Sequence, residues 1–210
     1  TINSPPSISD VSLDPTVAYT TDLITATPTG GNDNDGDDIS FNYRWFVDGG
    51  LVSGANTDTL TADNFQKNQE IKCEITPNDG YEDGTSLNNS NTYIVQNSAP
   101  WWNDYSVDFD QATLYTYEDL GITTGGTPTD PDAADTPSYY YNWSVDGSTV
   151  LEGTTETTLA SSYFTKGQVV ELNVSLTDGI AFNDTYEIIT ITVQNSAPWW
   201  NDYSVDFDQA

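Results

Sequence analysis

Residues 41–49 read FNYRWFVDG, and residues 139–147 read YYYNWSVDG. In the first stretch apolar side chains alternate with polar ones as far as Trp45. An alternation with a period of two predicts a β-strand that buries one face. The Asp-Gly pair that follows is typical of a tight turn. We therefore expect Trp45 and its counterpart Trp143 to lie near the centres of two β-sandwich cores.

The chain is a tandem repeat. Residues 95–112 read VQNSAPWWNDYSVDFDQA, and residues 193–210 carry the same eighteen letters 98 positions later. That period is the length of one small β-sandwich domain. We expect a first domain over residues 1–97 and a second over 98–195. Residues 196–210 are then either the first strand of a third repeat or a donor strand for a neighbouring subunit.

Short Asn-Ser-x-Pro segments separate the repeats, at residues 3–6, 97–100 and 195–198. Proline restricts its own backbone and that of the residue before it, so these linkers are predicted to be short and stiff. Sandwiches joined in this way are expected to form a rod-like array.

Alternating apolar residues recur at 71–75 and at 172–176, and no long run has the 3.6-residue period of a helix. The chain is therefore predicted to be all-β. Each repeat also has an acidic loop, then a strand carrying Tyr-x-Trp, and closes on Gln-Asn-Ser-Ala-Pro. This arrangement resembles the immunoglobulin-like repeats, related to the polycystic-kidney-disease and cadherin-like types, of large archaeal and bacterial surface proteins. The resemblance implies tandem Ig-like antiparallel β-sandwiches with a core Trp on the third strand, and it supplies no catalytic residues.

The net charge of the chain limits the classes of binding partner that can be expected. The formal net charge is -29, from 33 acidic and 4 basic residues. Nucleic acid and anionic membrane surfaces would repel such a chain, so neither is expected as a partner. Metal cations, a salty medium, and neutral surfaces such as sugars or other copies of the chain remain.

Two acidic loops are candidate metal sites. The first acidic loop, residues 32–38, reads NDNDGDD, and the second, residues 130–135, reads DPDAAD. Calcium takes several carboxylate and carbonyl oxygens, which closely spaced aspartates can supply. In an Ig-like strand order each loop would lie beside the turn that carries the last aspartate of its set. The candidate ligands are Asp33, Asp35, Asp37 and Asp79 in the first repeat, and Asp130, Asp132, Asp135 and Asp178 in the second. The alternative is that the loops are solvated turns of a salt-adapted protein.

Sugars are a second class of candidate partner. The Asn-x-Ser/Thr pattern of N-glycosylation occurs at Asn88, Asn142, Asn173 and Asn183. Asn142 and Asn173 stand on the polar phase of their strands, and we expect all four side chains to be accessible. Covalent glycans on at least one of them are therefore expected.

Adjacent tryptophans follow the linkers, at Trp101 and Trp102 and again at Trp199 and Trp200. In a strand only one member of each pair can face its own core. The other is expected to pack against a neighbouring domain or subunit. Its alternative role is to stack on carbohydrate.

The sequence argues against an enzyme. Histidine, the commonest general base, is absent, and no phosphate-binding loop or zinc-type ligand set is present. Cys73 alternates with apolar residues, so we expect a buried thiol and not a nucleophile. No organic cofactor is expected.

These observations favour a structural extracellular protein. No stretch is long and apolar enough to span a bilayer. We expect a cell-surface stalk or filament subunit whose partners are other copies of the chain, arranged head to tail. The alternative is an adhesin or a carbohydrate-binding surface module.

Overall fold

A computed structural model describes residues 2–183 and 187–198, apart from the side chains of Asn103 and Tyr105. The expectations for Trp199, Trp200 and most of 196–210 lie outside these residues. The chain divides into two compact units, one of Thr1–Ala99 with Asp130–Thr136 and one of Pro100–Thr129 with Pro137–Ala210. Strands and two short 3-10 turns are the regular elements of the described residues, so the all-β prediction is confirmed. Nowhere in those residues does a helix have the length and hydrophobicity needed to span a bilayer.

The first unit contains eight strands in two sheets. The bounds are β1 Asp10–Asp14, β2 Ile24–Thr29, β3 Ser40–Val47, β4 Gly50–Leu51, β5 Thr59–Leu60, β6 Glu70–Asn78, β7 Leu87–Asn88 and β8 Tyr93–Ile94, with a 3-10 turn at Ala62–Asn64. One sheet has the order β1-β2-β5, and the other has β4-β3-β6-β7 with β8 also paired to β6.

Trp45 lies at the centre of the first core. Its side chain is fully buried, and its indole Nε1 donates a hydrogen bond to the carbonyl of Thr57 at 2.9 Å. Cys73 stands opposite it in the β3–β6 register and is buried as predicted. Apolar residues of both sheets, among them Ile24 and Ile75, join one cluster around it. The two sheets therefore form a sandwich.

The described residues of the second unit form eight strands, again in two sheets. Their bounds are β9 Trp101–Phe109, β10 Leu114–Tyr115, β11 Leu120–Thr129, β12 Ser138–Val145, β13 Ser148–Thr154, β14 Thr158–Leu159, β15 Val169–Thr177 and β16 Glu187–Gln194, with a 3-10 turn at Ser161–Tyr163. The sheet orders are β14-β11-β9 and β10-β16-β15-β12-β13.

One strand pair departs from the antiparallel pattern. β10 runs parallel to β16 through the pairs of Leu114 with Val193 and Tyr115 with Gln194. The first unit has the same feature in reduced form, a parallel bridge between Tyr19 and Gln96. The first edge strand thus leaves its first sheet and joins the opposite one. That exchange is local, and the remaining pairs are antiparallel.

The second core repeats the first. Trp143 is fully buried, and its Nε1 donates to the carbonyl of Glu156 at 3.2 Å. Leu172 of β15 stands opposite it in the β12–β15 register, in the position that Cys73 holds in the first unit. The core prediction for both tryptophans is confirmed. In each unit a three-stranded sheet, β1-β2-β5 or β14-β11-β9, faces a larger sheet built on the pair β3–β6 or β12–β15, which is an immunoglobulin-like architecture.

Truncation of the core tryptophan tests this strand register. Trp143→Ala should lower the free energy of unfolding of the second sandwich by about 3–5 kcal/mol, because it leaves a large cavity in a packed interior. Chemical denaturation followed by far-UV circular dichroism measures the loss. Trp101→Ala is the matched control: its side chain keeps 42% of its exposure, so its cost should stay below about 1 kcal/mol. Equal costs for the two variants would contradict the register.

Candidate functional site

The first acidic loop is organised around Asp33. Its Oδ1 accepts backbone N–H hydrogen bonds from Asp35, Gly36 and Asp37 at 2.8, 2.9 and 3.1 Å. This is the local side-chain-to-backbone bonding that aspartate provides in turns. The other oxygen, Oδ2, is buried and has no hydrogen-bond partner among the described residues. The loop therefore holds one carboxylate oxygen that the described part of the chain leaves without a hydrogen-bond donor.

Asp79 shapes the turn after β6. The residue is buried, and its Oδ1 accepts the N–H groups of Tyr81 and Glu82, each at 2.8 Å. The N–H of Glu82 and then the amide of Asn3 hold the pKa of Asp79 below its ordinary value. Hydrogen bonds to the charged form favour that form, which explains the direction of the shift.

The linker before the first sandwich is bound by both of these segments. Ser4 donates its backbone N–H to Asp35 Oδ2 at 2.7 Å. Asn3 Nδ2 donates to Asp79 Oδ2 at 2.9 Å and to Glu82 Oε1 at 3.0 Å. The acidic side chains thus act as hydrogen-bond acceptors for the Asn-Ser segment. Neither the metal-site interpretation nor the solvated-turn alternative predicted this role.

The four predicted ligands of the first repeat do not form a compact set. Burial first, and then the charges of Asp33, Asp79, Asp35 and Asp38, raise the pKa of Asp37. Even so, no three of the four predicted side chains bring carboxylate oxygens within 4.8 Å of one another in this part of the structure. The carboxylates of this loop are therefore close enough to repel one another, but they are not arranged to coordinate one cation.

The second acidic loop is more compact, and it belongs to the first unit. One carboxylate oxygen from each of Asp130, Asp132 and Asp135 lies within 4.8 Å of the others. Asp132 is 3% exposed, and its Oδ2 accepts the backbone N–H of Ser98 at 2.8 Å. Its Oδ1 is buried and has no hydrogen-bond partner among the described residues. A buried carboxylate oxygen in that state is costly unless a donor or a cation meets it.

Lys67 lies against the same loop. Its ammonium group forms an ion pair with Asp135 and donates to Asn97 Oδ1 at 3.1 Å. Thr20 Oγ1 and Ser98 Oγ share a further hydrogen bond at 2.6 Å. The linker at 97–98 is therefore bonded on one side to the sandwich and on the other to the acidic loop.

Asp178, the last predicted ligand, lies in the turn after β15. Its Oδ1 accepts the N–H groups of Ile180 and Ala181 at 2.6 and 2.7 Å. It thereby repeats the turn-forming role of Asp79.

The four glycosylation candidates differ in accessibility. Asn88 is exposed at the end of β7, whereas Asn142 and Asn173 are half-buried. These two face each other across β12 and β15, and Asn142 Oδ1 accepts the N–H of Gly153 at 2.8 Å. Asn183 is half-buried and donates from Nδ2 to the carbonyl of Pro100 at 2.7 Å. Because Nδ2 is the atom that a glycan would occupy, Asn88 is the most accessible acceptor.

The tryptophan pair divides as alternation requires. Trp102 packs on the second core and stacks on Tyr139 with ring centroids 5.9 Å apart. Trp101, on the opposite face of β9, keeps 42% of its exposure. The prediction that one member faces its own core is confirmed.

Cys73 does not have the environment of a nucleophile. Burial raises the pKa of its thiol to about 12. Since the thiolate is the reactive form, this thiol is protonated at neutral pH.

Sequence reasoning missed the partners of the acidic side chains. Ser4 and Ser98 donate through their backbone N–H groups, and a backbone donor cannot be predicted from the residue type. A usable signal was nevertheless present, because the Asn-Ser-x-Pro segment and the Phe-x-Lys motif of Lys67 each recur once per repeat.

No family model matches the chain, and no curated protein matches it. Solved structures match it only at low sequence identity and low TM-score. The fibronectin(III)-like modules of CbhA from Clostridium thermocellum are 15% identical over 93% of this chain and 100% of theirs, with a TM-score of 0.31. The FN1–FN3 domains of chicken CNTN1 are 12% identical over 92% and 70%, with a TM-score of 0.36. The insect immune protein hemolin is 15% identical over 93% and 48%, with a TM-score of 0.42. The strand order of each sandwich by itself defines the Ig-like architecture.

The hydrogen bonds of Asp79 predict a pH-dependent stability contribution. Its folded-state pKa lies below the unfolded value, so its stabilisation is present above the unfolded pKa of about 4 and is lost as the pH falls through the folded pKa. Asp79→Asn should therefore destabilise the first sandwich at about pH 6, and this difference from the wild type should shrink towards about pH 2. Thermal unfolding across that range measures it.

Asp63→Asn is the control for this measurement, because Asp63 is an exposed carboxylate. It should follow the wild type at every pH. A difference between Asp79→Asn and the wild type that is the same at both ends of the range would contradict the assigned role.

Proposed function

We propose that the chain is a structural extracellular protein, a stalk or filament subunit made of stacked Ig-like repeats that associate head to tail. A protein of this kind needs defined joints and a surface that resists collapse. The net charge of -29 gives the second property, because like charges keep copies apart except where specific contacts form.

The observation that carries this proposal is a contact that recurs at the start of each repeat. Ser4 donates its N–H to Asp35 Oδ2 at 2.7 Å, and Ser98 donates its N–H to Asp132 Oδ2 at 2.8 Å. The Asn-Ser linker of a repeat is thus fixed to the acidic loop of that same repeat. Repeating this bond at every linker would restrict bending, which suits a load-bearing array more than a catalyst.

Imaging of native material tests the proposal. Negative-stain electron microscopy should show filaments or stalks whose axial period equals one or two sandwich domains. Preparations that contain only discrete globular particles at every concentration and ionic strength would overturn it.

We propose further that calcium binds at the second acidic loop. Asp130, Asp132 and Asp135 bring their oxygens together, and Asp132 Oδ1 is a buried acceptor without a partner in the described residues. Calcium accepts six to eight oxygen ligands in flexible geometry, so three carboxylates and water would suffice. The ammonium group of Lys67 opposes this binding, because it already neutralises Asp135.

That competition gives the calcium proposal a two-sided test by isothermal titration at constant ionic strength. Asp132→Asn should weaken calcium binding by about tenfold or more, because it removes a charged ligand. Lys67→Gln should tighten it, because it removes a positive charge beside the site. Asp10→Asn is the control for the loss of one negative charge, because Asp10 is an exposed carboxylate on β1. Calcium affinities equal to the control in both variants would leave the loop as a solvated turn.

Covalent glycans are proposed at Asn88, which is the exposed acceptor of the four. Peptide mass spectrometry of native material should find a glycan there before it finds one on Asn142, Asn173 or Asn183. An unmodified Asn88 would refute this assignment.

A carbohydrate-binding or adhesive role is the second candidate, and one observation favours it. Tyr115 and Tyr117 stack with ring centroids 6.1 Å apart and an interplanar angle of 8°. They line a cavity of about 640 Å³ together with residues 195–197, and Tyr117 is 68% exposed. Aromatic faces of this kind can stack on sugar rings. Screening against a glycan array tests it: binding should be lost in Tyr117→Ala and kept in Tyr81→Ala, whose side chain is 78% exposed elsewhere.

A further inference from the structure

The second unit repeats the surface on which the second acidic loop lies in the first unit. Thr116 Oγ1 and Ser196 Oγ share a hydrogen bond at 3.0 Å, as Thr20 Oγ1 and Ser98 Oγ do at 2.6 Å. The two threonines stand at the same position in their repeats, each in a Tyr-Thr segment that precedes β2 in the first unit and β11 in the second.

The surrounding bonds match as well. Asn195 Nδ2 donates to the carbonyl of Ser196 at 3.2 Å, as Asn97 does to that of Ser98 at 3.0 Å. The N–H of Gly167 donates to the carbonyl of Val193 at 2.8 Å. In the first unit the N–H of Asn68 donates to Val95 at the same distance. The linker backbone is therefore presented in the same way in both units.

Lys166 occupies the place of Lys67. Each lysine stands two residues after a buried phenylalanine, Phe164 or Phe65. Lys67 is bound to Asp135, and its side chain is only 16% exposed. Lys166 is exposed and forms no ion pair with any residue that the structure describes. Lys67 and Lys166, two of the four basic residues of the chain, thus occupy equivalent positions in the two repeats. Of these two, Lys67 pairs with a carboxylate, that of Asp135.

We propose that Ser196 and Lys166 bind the acidic loop of the repeat that residues 196–210 begin. The loop has the chemistry Asp-x-Asp-x-x-Asp. Its middle aspartate accepts the N–H of Ser196, and its last aspartate pairs with Lys166, as Asp132 and Asp135 do with Ser98 and Lys67. This inference rests on the proposed function, because it assumes that the repeats continue.

Charge complementarity and the sequence identify this occupant. Residues 193–210 are identical to 95–112, and in the second repeat that stretch is followed by the loop beginning at Asp130. A repeat that restarts with the same strand is expected to bring the same loop to the same place. The partner is therefore a further Ig-like repeat with an acidic loop.

Lysine reactivity tests the contact in an extended chain. Because of the identity, residues 113–195 can be appended after Ala210 to complete a third repeat without a foreign junction. The appended copy carries Lys166→Gln, so that acylation of each remaining lysine can be followed separately by mass spectrometry. In chain 1–210, Lys67 should react slowly, and Lys166 should react as fast as the exposed Lys72.

In the extended chain Lys166 should become about three- to five-fold slower, the effect expected of one new ion pair. Lys67 and Lys72 should keep their rates, which shows that the first sandwich is unchanged. Asp135→Asn in the appended copy should return Lys166 to the rate of Lys72. If that variant fails to fold, addition of salt to the unmodified extended chain provides a second check, since screening should raise the Lys166 rate.

Two results would overturn the proposal. In one, Lys166 stays as reactive as Lys72 in the extended chain. In the other, Lys166 of chain 1–210 becomes protected as its concentration rises, which would identify the acidic loop of a second copy as the occupant. If native material forms filaments but Lys166 of the extended chain stays reactive, this contact is rejected and the proposed function is kept. A protected Lys166 in a protein that forms no filaments would do the reverse.

Discussion

Carboxylates outnumber basic side chains 33 to 4 in this chain, so most of them have no cation within the protein to pair with. Backbone N–H groups take that role instead. Asp33 accepts three of them, and Asp79 accepts two. In the second unit Asp146 accepts the N–H of Val169 at 2.9 Å, which together with Gln168 lowers its pKa. These hydrogen bonds from backbone N–H groups to aspartate carboxylates shape the turns, and they fix the ends of the strands that the turns connect.

The same scarcity gives individual lysines unusual weight. Among the described residues the ion pairs are Arg44 with Glu74 and Lys67 with Asp135. The first lies on an open sheet face, where such pairs contribute little. The second lies where the linker, the sandwich and the acidic loop meet. The acidic loops thus supply hydrogen-bond acceptors to the Asn-Ser linkers. A cation bound at such a loop would hold its carboxylates together more firmly.

The sequence was most informative where structure is decided locally. Alternation placed Trp45 and Trp143 in the cores, and the Asp-Gly pairs marked turns such as that at Asp48, whose φ is positive. The parallel pairing of β10 with β16 depends on a strand changing sheets, which has no periodic signal. The bond from Ser98 to Asp132 joins residues 34 positions apart through a backbone N–H. Such contacts follow from the fold and from neither partner's identity, so comparing repeats reveals them better than any single motif does.

The buried thiol distinguishes the two sandwiches in a way that can be exploited. Cys73 is the only cysteine, and Leu172 holds the matching position in the second unit. A thiol reagent therefore has a single target in the molecule, which is shielded while the first sandwich stays closed. Within residues 1–210, the rate of its modification would report the opening of that sandwich alone, without any engineered label.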